Sequence, residues 1–126
     1  MQSEKEFLYK DLTREIMDSA FKVHNALVCG LQEKVYENAL AWDFELKEKK
    51  VTSQQEFNVL YRDKEVGRYY ADLVIGDSVI VEVKSVEKID DIHRAQILNY
   101  LRISGLRVGL LINFAKPKLE YHRLVV

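Results

Sequence analysis

The chain has 126 residues, 48% of them hydrophobic, which suits one domain with a substantial core spanning 1–126. Nineteen basic and 20 acidic residues leave a net charge of −1, which argues against a protein that coats nucleic acid through its overall charge. The single cysteine, Cys29, rules out an intramolecular disulfide, fits a reducing compartment and reads as a small buried residue near a helix end. No run approaches the roughly 20 apolar residues of a membrane span, and Met1–Glu6 is too polar for a signal peptide. A cytoplasmic protein without a membrane partner is expected.

From Asp11 to Val28, Leu12, Ile16, Ala20, Val23 and Leu27 recur at helical spacing, with Gly30 placed to end the helix. A second helix is predicted from about Gln32 to Lys49, with Val35, Tyr36, Ala39, Leu40, Phe44 and Leu46 as its apolar stripe. Strands follow: Gln54–Tyr61, a turn at Arg62-Asp63-Lys64, then Val66–Ile75. Val79–Val83 is nearly continuous and apolar, as in a strand covered on both faces. A third helix is predicted over Asp90–Ile103, with Ile92, Ala95, Ile97, Leu98 and Leu101 inward and Gly105 at its end. Val108–Ile112 reads as another buried strand and Leu119–Val126 as a more polar edge strand. The order α-α-β-β-β-α-β-β describes an α/β fold. Its mixed central sheet, an antiparallel meander joined to a right-handed parallel unit, is flanked by helices.

The chemistry concentrates around Asp72 and Glu82-Val83-Lys84. Strand alternation points Glu82 and Lys84 the same way. If Gly76, Asp77 and Ser78 form the loop, Ile75 pairs with Val79 and Asp72 falls opposite Glu82. Two carboxylates so close repel unless a positive charge lies between them. A hard divalent cation such as magnesium prefers such oxygen ligands, and Lys84 would sit beside it. The plainer reading is a salt-bridge cluster at a sheet edge.

Glu33 opens the second helix and shares a face with Tyr36, Glu37 and Leu40, either as a capping residue at the rim or as a third inward carboxylate. Gln96 and Tyr100 are neighbours on the third helix. His93 reads as a solvated or capping residue, and Lys88, Arg94, Arg102 and Arg107 as charge on a solvated face. Tyr61 to Tyr70 is rich in aromatics, suited to packing, an interface or base stacking.

Gly30-x-x-Glu33-x-x-Tyr36, Ala71-Asp72, Glu82-Val83-Lys84 and Gln96-x-x-x-Tyr100, in this order, resemble the GxxExxY family, itself similar to the PD-(D/E)xK nucleases. The resemblance covers about residues 11 to 126, and Val108–Phe114 resembles that family's penultimate strand. It implies a restriction-endonuclease-like core and metal-dependent phosphodiester hydrolysis of DNA or RNA, with DNA placed ahead of RNA. Asp72, Glu82 and the backbone carbonyl of Val83 would hold Mg2+ or Mn2+, completed by Glu33 directly or through water. Lys84 would stabilise the transition state, and Gln96 and Tyr100 would steady the substrate or the lysine. A twofold homodimer is one way to cut two strands. The competing reading is a catalytically silent nuclease-fold module that binds nucleic acid or a partner protein.

Overall fold

The structure is a computed structural model that describes residues 8–126, so the reading of Met1–Glu6 lies outside the described residues. Helices α1 (Lys10–Leu27) and α2 (Glu33–Leu46) precede strands β1 (Val51–Tyr61), β2 (Lys64–Ile75) and β3 (Val79–Lys84). Helix α3 (Asp91–Ser104) and strands β4 (Val108–Asn113) and β5 (Glu120–Val125) complete the order expected from the periodicity. The five strands lie side by side in chain order, antiparallel except for the β3–β4 pair. β5 is an edge, as its polarity suggests, and β1 is the other.

One face of the sheet packs against α1 and α2. Leu73, Ile75, Val81, Val83, Leu110, Ile112 and Phe114 meet Ile16, Ala20, Tyr36, Leu40 and Phe44 there. On the other face Val74, Ile80 and Leu111 lie under Ile97 and Leu101 of α3. Every residue from Val79 to Val83 is buried, as a strand covered on both sides requires. Gly109 lets α3 approach: a Cβ there would lie 2.7 Å from Ile97 Cδ1.

Several local expectations are corrected. The β1–β2 turn is the dipeptide Arg62-Asp63, with φ of 50° and 69°; two left-handed residues are what a tight primed hairpin turn needs, so Lys64 already belongs to β2. β1 starts earlier than expected, at Val51. α1 ends in a left-handed Val28 (φ 56°), two residues before Gly30 (φ 105°). Val35, Leu46 and Ile92 are exposed, because each helix rests on the sheet along a narrow stripe: Tyr36, Leu40, Ala41 and Phe44 on α2, Ile97 and Leu101 on α3. Cys29 is only half-buried. His93 is a cap. Its Nδ1 accepts the Asp90 N–H at 3.1 Å while Asp90 Oδ1 accepts the N–H groups of Ile92 and His93.

The segment between β3 and α3 is clamped by Asn113, fully buried at the end of β4. Its Oδ1 accepts the Val86 N–H at 3.0 Å and its Nδ2 donates to the Val86 carbonyl at 2.8 Å and to Glu120 at 3.0 Å. No helix among the described residues is long and apolar enough to cross a membrane.

Candidate active site

β2 and β3 pair from Ile75–Val79 through Leu73–Val81 and then fork. The loop is Gly76-Asp77-Ser78, so the next pair in that register is Asp72 and Glu82. At this level the side chains replace the backbone ladder. Glu82 Oε2 accepts the Asp72 N–H at 2.7 Å, and Asp72 Oδ2 accepts the Val83 N–H at 2.8 Å. Two backbone donors freed by the fork are thereby satisfied, and the two carboxyl groups are pinned at its mouth. Each commits one oxygen to this task.

The electrostatics are strained. Burial raises the Glu82 carboxyl most and the charge of Asp72 raises it further, so it is pushed up to about 8; Lys84 pulls in the opposite direction. Asp72 is also raised, first by burial and then by Glu37, with the Val83 N–H and Lys84 acting against the rise. Near neutral pH the pair therefore keeps a proton that neither carboxyl would hold in water. This is a local deficit of positive charge facing oxygen donors, and it fits a hard divalent cation. Among the described residues no three histidine, cysteine or carboxylate side chains gather closely enough to hold a metal by themselves, so a bound ion would need backbone and water oxygens as well.

The loop before α2 is built by Tyr36. Its fully buried ring stacks on Phe114 at 4.6 Å, its hydroxyl donates to the Val28 carbonyl at 2.6 Å, and it accepts the Leu31 N–H at 3.1 Å. The tyrosine thus folds the Gly30–Gln32 turn back onto its own helix. Glu33, exposed at the first turn of α2, accepts the Ser85 N–H at 3.0 Å, and Ser85 Oγ donates to the Leu31 carbonyl. Glu33 therefore ties the start of α2 to the residue after Lys84.

A further carboxylate, one that helical spacing placed on the same face without assigning it a role, reaches the pair more directly. Glu37 is 4% exposed, and its charge bears on both Asp72 and Glu82. It accepts from Lys34 Nζ at 2.7 Å and, through both oxygens, from Gln54 Nε2 at 3.1 Å. A glutamate between the core positions Tyr36 and Leu40 was the available signal; Gln54 gave none.

From the other side, α3 brings Tyr100 and Gln96. The hydroxyl of Tyr100 is raised by burial and by the charges of Glu82 and Asp72, while a hydrogen bond with Gln96 lowers it. The Tyr100 ring stacks on Tyr69 at 4.0 Å, Tyr69 stacks on Phe57 at 5.4 Å, and Tyr69 Oη donates to the Tyr100 carbonyl at 2.8 Å. Tyr69 is thus spoken for by packing, whereas Tyr61 and Tyr70 are exposed. Asp72, Glu82, Lys84, Gln96 and Tyr100 are brought together, with Glu33 at the rim. Arg94, Arg102 and Arg107 bond Asp91, Asn99 and the Val126 carbonyl.

Comparison with known proteins bears on the family and the fold. No curated protein matches the chain. A solved structure described as the crystal structure of SSO0001 superposes with a TM-score of 0.55 at 16% identity, over 93% of this chain and 59% of that one, a likeness of fold. This chain thus spans less than two thirds of the solved chain's length. The family description that matches residues 10–124 is that of the PD-(D/E)XK nuclease superfamily. With the mixed sheet, the forked hairpin and the Asp72, Glu82 and Lys84 triad in place, the chain belongs to the PD-(D/E)XK nuclease superfamily, with its restriction-endonuclease-like fold.

Proposed function

We propose that this protein is a metal-dependent nuclease, with DNA ahead of RNA as its substrate. The observation that carries the reading is the pair of carboxyls at the fork, Glu82 buried and Asp72 half-buried, held by each other's backbone and short of positive charge. Asp72, Glu82 and the Val83 carbonyl would hold magnesium or manganese, with Glu33 contributing through water. Such an ion, when bound, polarises a phosphate and makes a coordinated water acidic. To serve as ligands both carboxyls would have to be ionised, so the proton that burial keeps on Glu82 would pass to solvent. Lys84, on the same face of β3 as Glu82, offsets charge that builds on the phosphate, a role an ammonium beside two carboxylates fills better than that of a base. Gln96 and the Tyr100 hydroxyl, linked to each other, orient the substrate backbone or the lysine. With a net charge of −1, any grip on nucleic acid must come from a local patch. A homodimer would supply two such sites for two strands, and the half-buried thiol of Cys29 fits a cytoplasmic setting.

The test is a panel of labelled single- and double-stranded DNA and RNA incubated with Mg2+ or Mn2+, beside a chelator control. Cutting that needs the metal supports the reading and names the substrate class. Salt-sensitive binding to the same panel without cutting would instead favour the silent nucleic-acid-binding module.

A further inference from the structure

β1 and β2 carry a twist point at the level of the active site. Leu73 and Ile75 face α1 and α2, but Tyr69 and Ala71, at the same alternation, belong to the cluster under α3. On β1, Val51 packs with the first cluster and Phe57 with the second. Both strands therefore switch faces in between, while the register on either side is unchanged: Ser53 faces Leu73 and Gln55 faces Ala71. The unpaired level is Gln54 opposite Asp72. Gln54 has φ of 52°, a left-handed conformation in mid-strand that a glutamine adopts only at a cost. Neither a loop nor a hairpin turn demands it here. Its side chain shows what it gains. Nε2 donates to both oxygens of Glu37, and the same side chain, on the β1 residue opposite Asp72, favours the ionised form of Asp72.

Glu37 and Asp72 repel each other, and Gln54, bonded to Glu37 and opposite Asp72 on the paired strand, is the neutral donor beside both. Lys34, the other partner of Glu37, is largely in solvent and exerts a weaker hold. We propose that Gln54 is a positioning residue: its left-handed backbone aims an amide between Glu37 and Asp72 and keeps Asp72 oriented toward Glu82 as a ligand. The inference rests on the reading of Asp72 and Glu82 as a cation site and adds the residue that holds their geometry. Outer groups that orient a ligating carboxylate change metal affinity without touching the metal.

The experiment is Mn2+ titration by calorimetry of the full chain and of Gln54→Gly and Gln54→Asn, with thermal unfolding of each. Both replacements accept a left-handed backbone, and neither delivers an amide at the same reach. The expected result is cooperative unfolding in both variants and Mn2+ affinity weakened by about tenfold or more. Affinity within twofold of wild type in either variant overturns the proposal, as does loss of cooperative unfolding in both, which would make Gln54 merely structural. Asp72→Asn separates the two levels of the claim. If it abolishes Mn2+ binding while the Gln54 variants bind normally, only the role of Gln54 fails. If it leaves binding unchanged, the cation site itself is wrong and the proposal falls with it.

Discussion

Glu82→Gln should stabilise the metal-free protein at alkaline pH and leave it unchanged in acid. In the fold the Glu82 carboxyl is pushed up to about 8, against an ordinary value of 4.5. Below pH 4.5 it is protonated in both folded and unfolded chains and contributes nothing. Between pH 4.5 and 8 the unfolded chain releases the proton and the fold retains it. Stability then falls by about 1.4 kcal/mol per pH unit. Above pH 8 both states are ionised and the penalty is complete, with an upper bound on the order of 5 kcal/mol. Asp72 shares the repulsion, so part of this remains when Glu82 is neutralised. The glutamine carbonyl still accepts the Asp72 N–H, so no donor is orphaned. Urea unfolding in chelator should show a gain of roughly 2 kcal/mol or more at pH 8.5 and none at pH 4. A loss of stability at pH 8.5 would refute the reasoning, because it would mean that Glu82 and Lys84 form a stabilising ion pair instead of a site that lacks a cation.

The same proton must leave when a metal binds, so Mn2+ affinity should rise with pH up to about 8 and then level off, by up to tenfold per unit; calorimetry across pH 6 to 9 would check it. Tyr36→Phe removes the hydroxyl that joins Val28 to Leu31 and should cost about 1–2 kcal/mol in urea unfolding, since the ring keeps its stack on Phe114. Gly109→Ala places a Cβ 2.7 Å from Ile97 Cδ1 and 3.0 Å from its Cγ1, and should destabilise the protein by about 1–3 kcal/mol as α3 is pushed off the sheet.

The order of elements was readable because the apolar periods change cleanly, from helical in α1 to alternating in β1 and continuous in β3. The opposition of Asp72 and Glu82 was readable because Gly76-Asp77-Ser78 closes the loop and one residue of slip would have turned every β2 side chain over. The site's other half was not. Helical spacing puts Glu33 and Glu37 on one face and cannot say which carboxylate the sheet will bury, a choice made by where Tyr36 and Phe114 seat the helix. Gln54 was invisible because a left-handed residue inside a strand follows no local preference; only the twist of the assembled ribbon reveals it. Exposure of Val35, Leu46 and Ile92 likewise depends on how narrow the contact between helix and sheet is, which periodicity alone overstates.

The most direct test of the central claim is cleavage of labelled duplex DNA in Mn2+ by the wild-type chain beside Asp72→Asn, with both proteins shown to be folded. The account predicts cutting by the wild type and a loss of at least about a hundredfold in the variant, since a ligand of the cation and half of the carboxyl pair are gone. Equal cutting by the two proteins would contradict it.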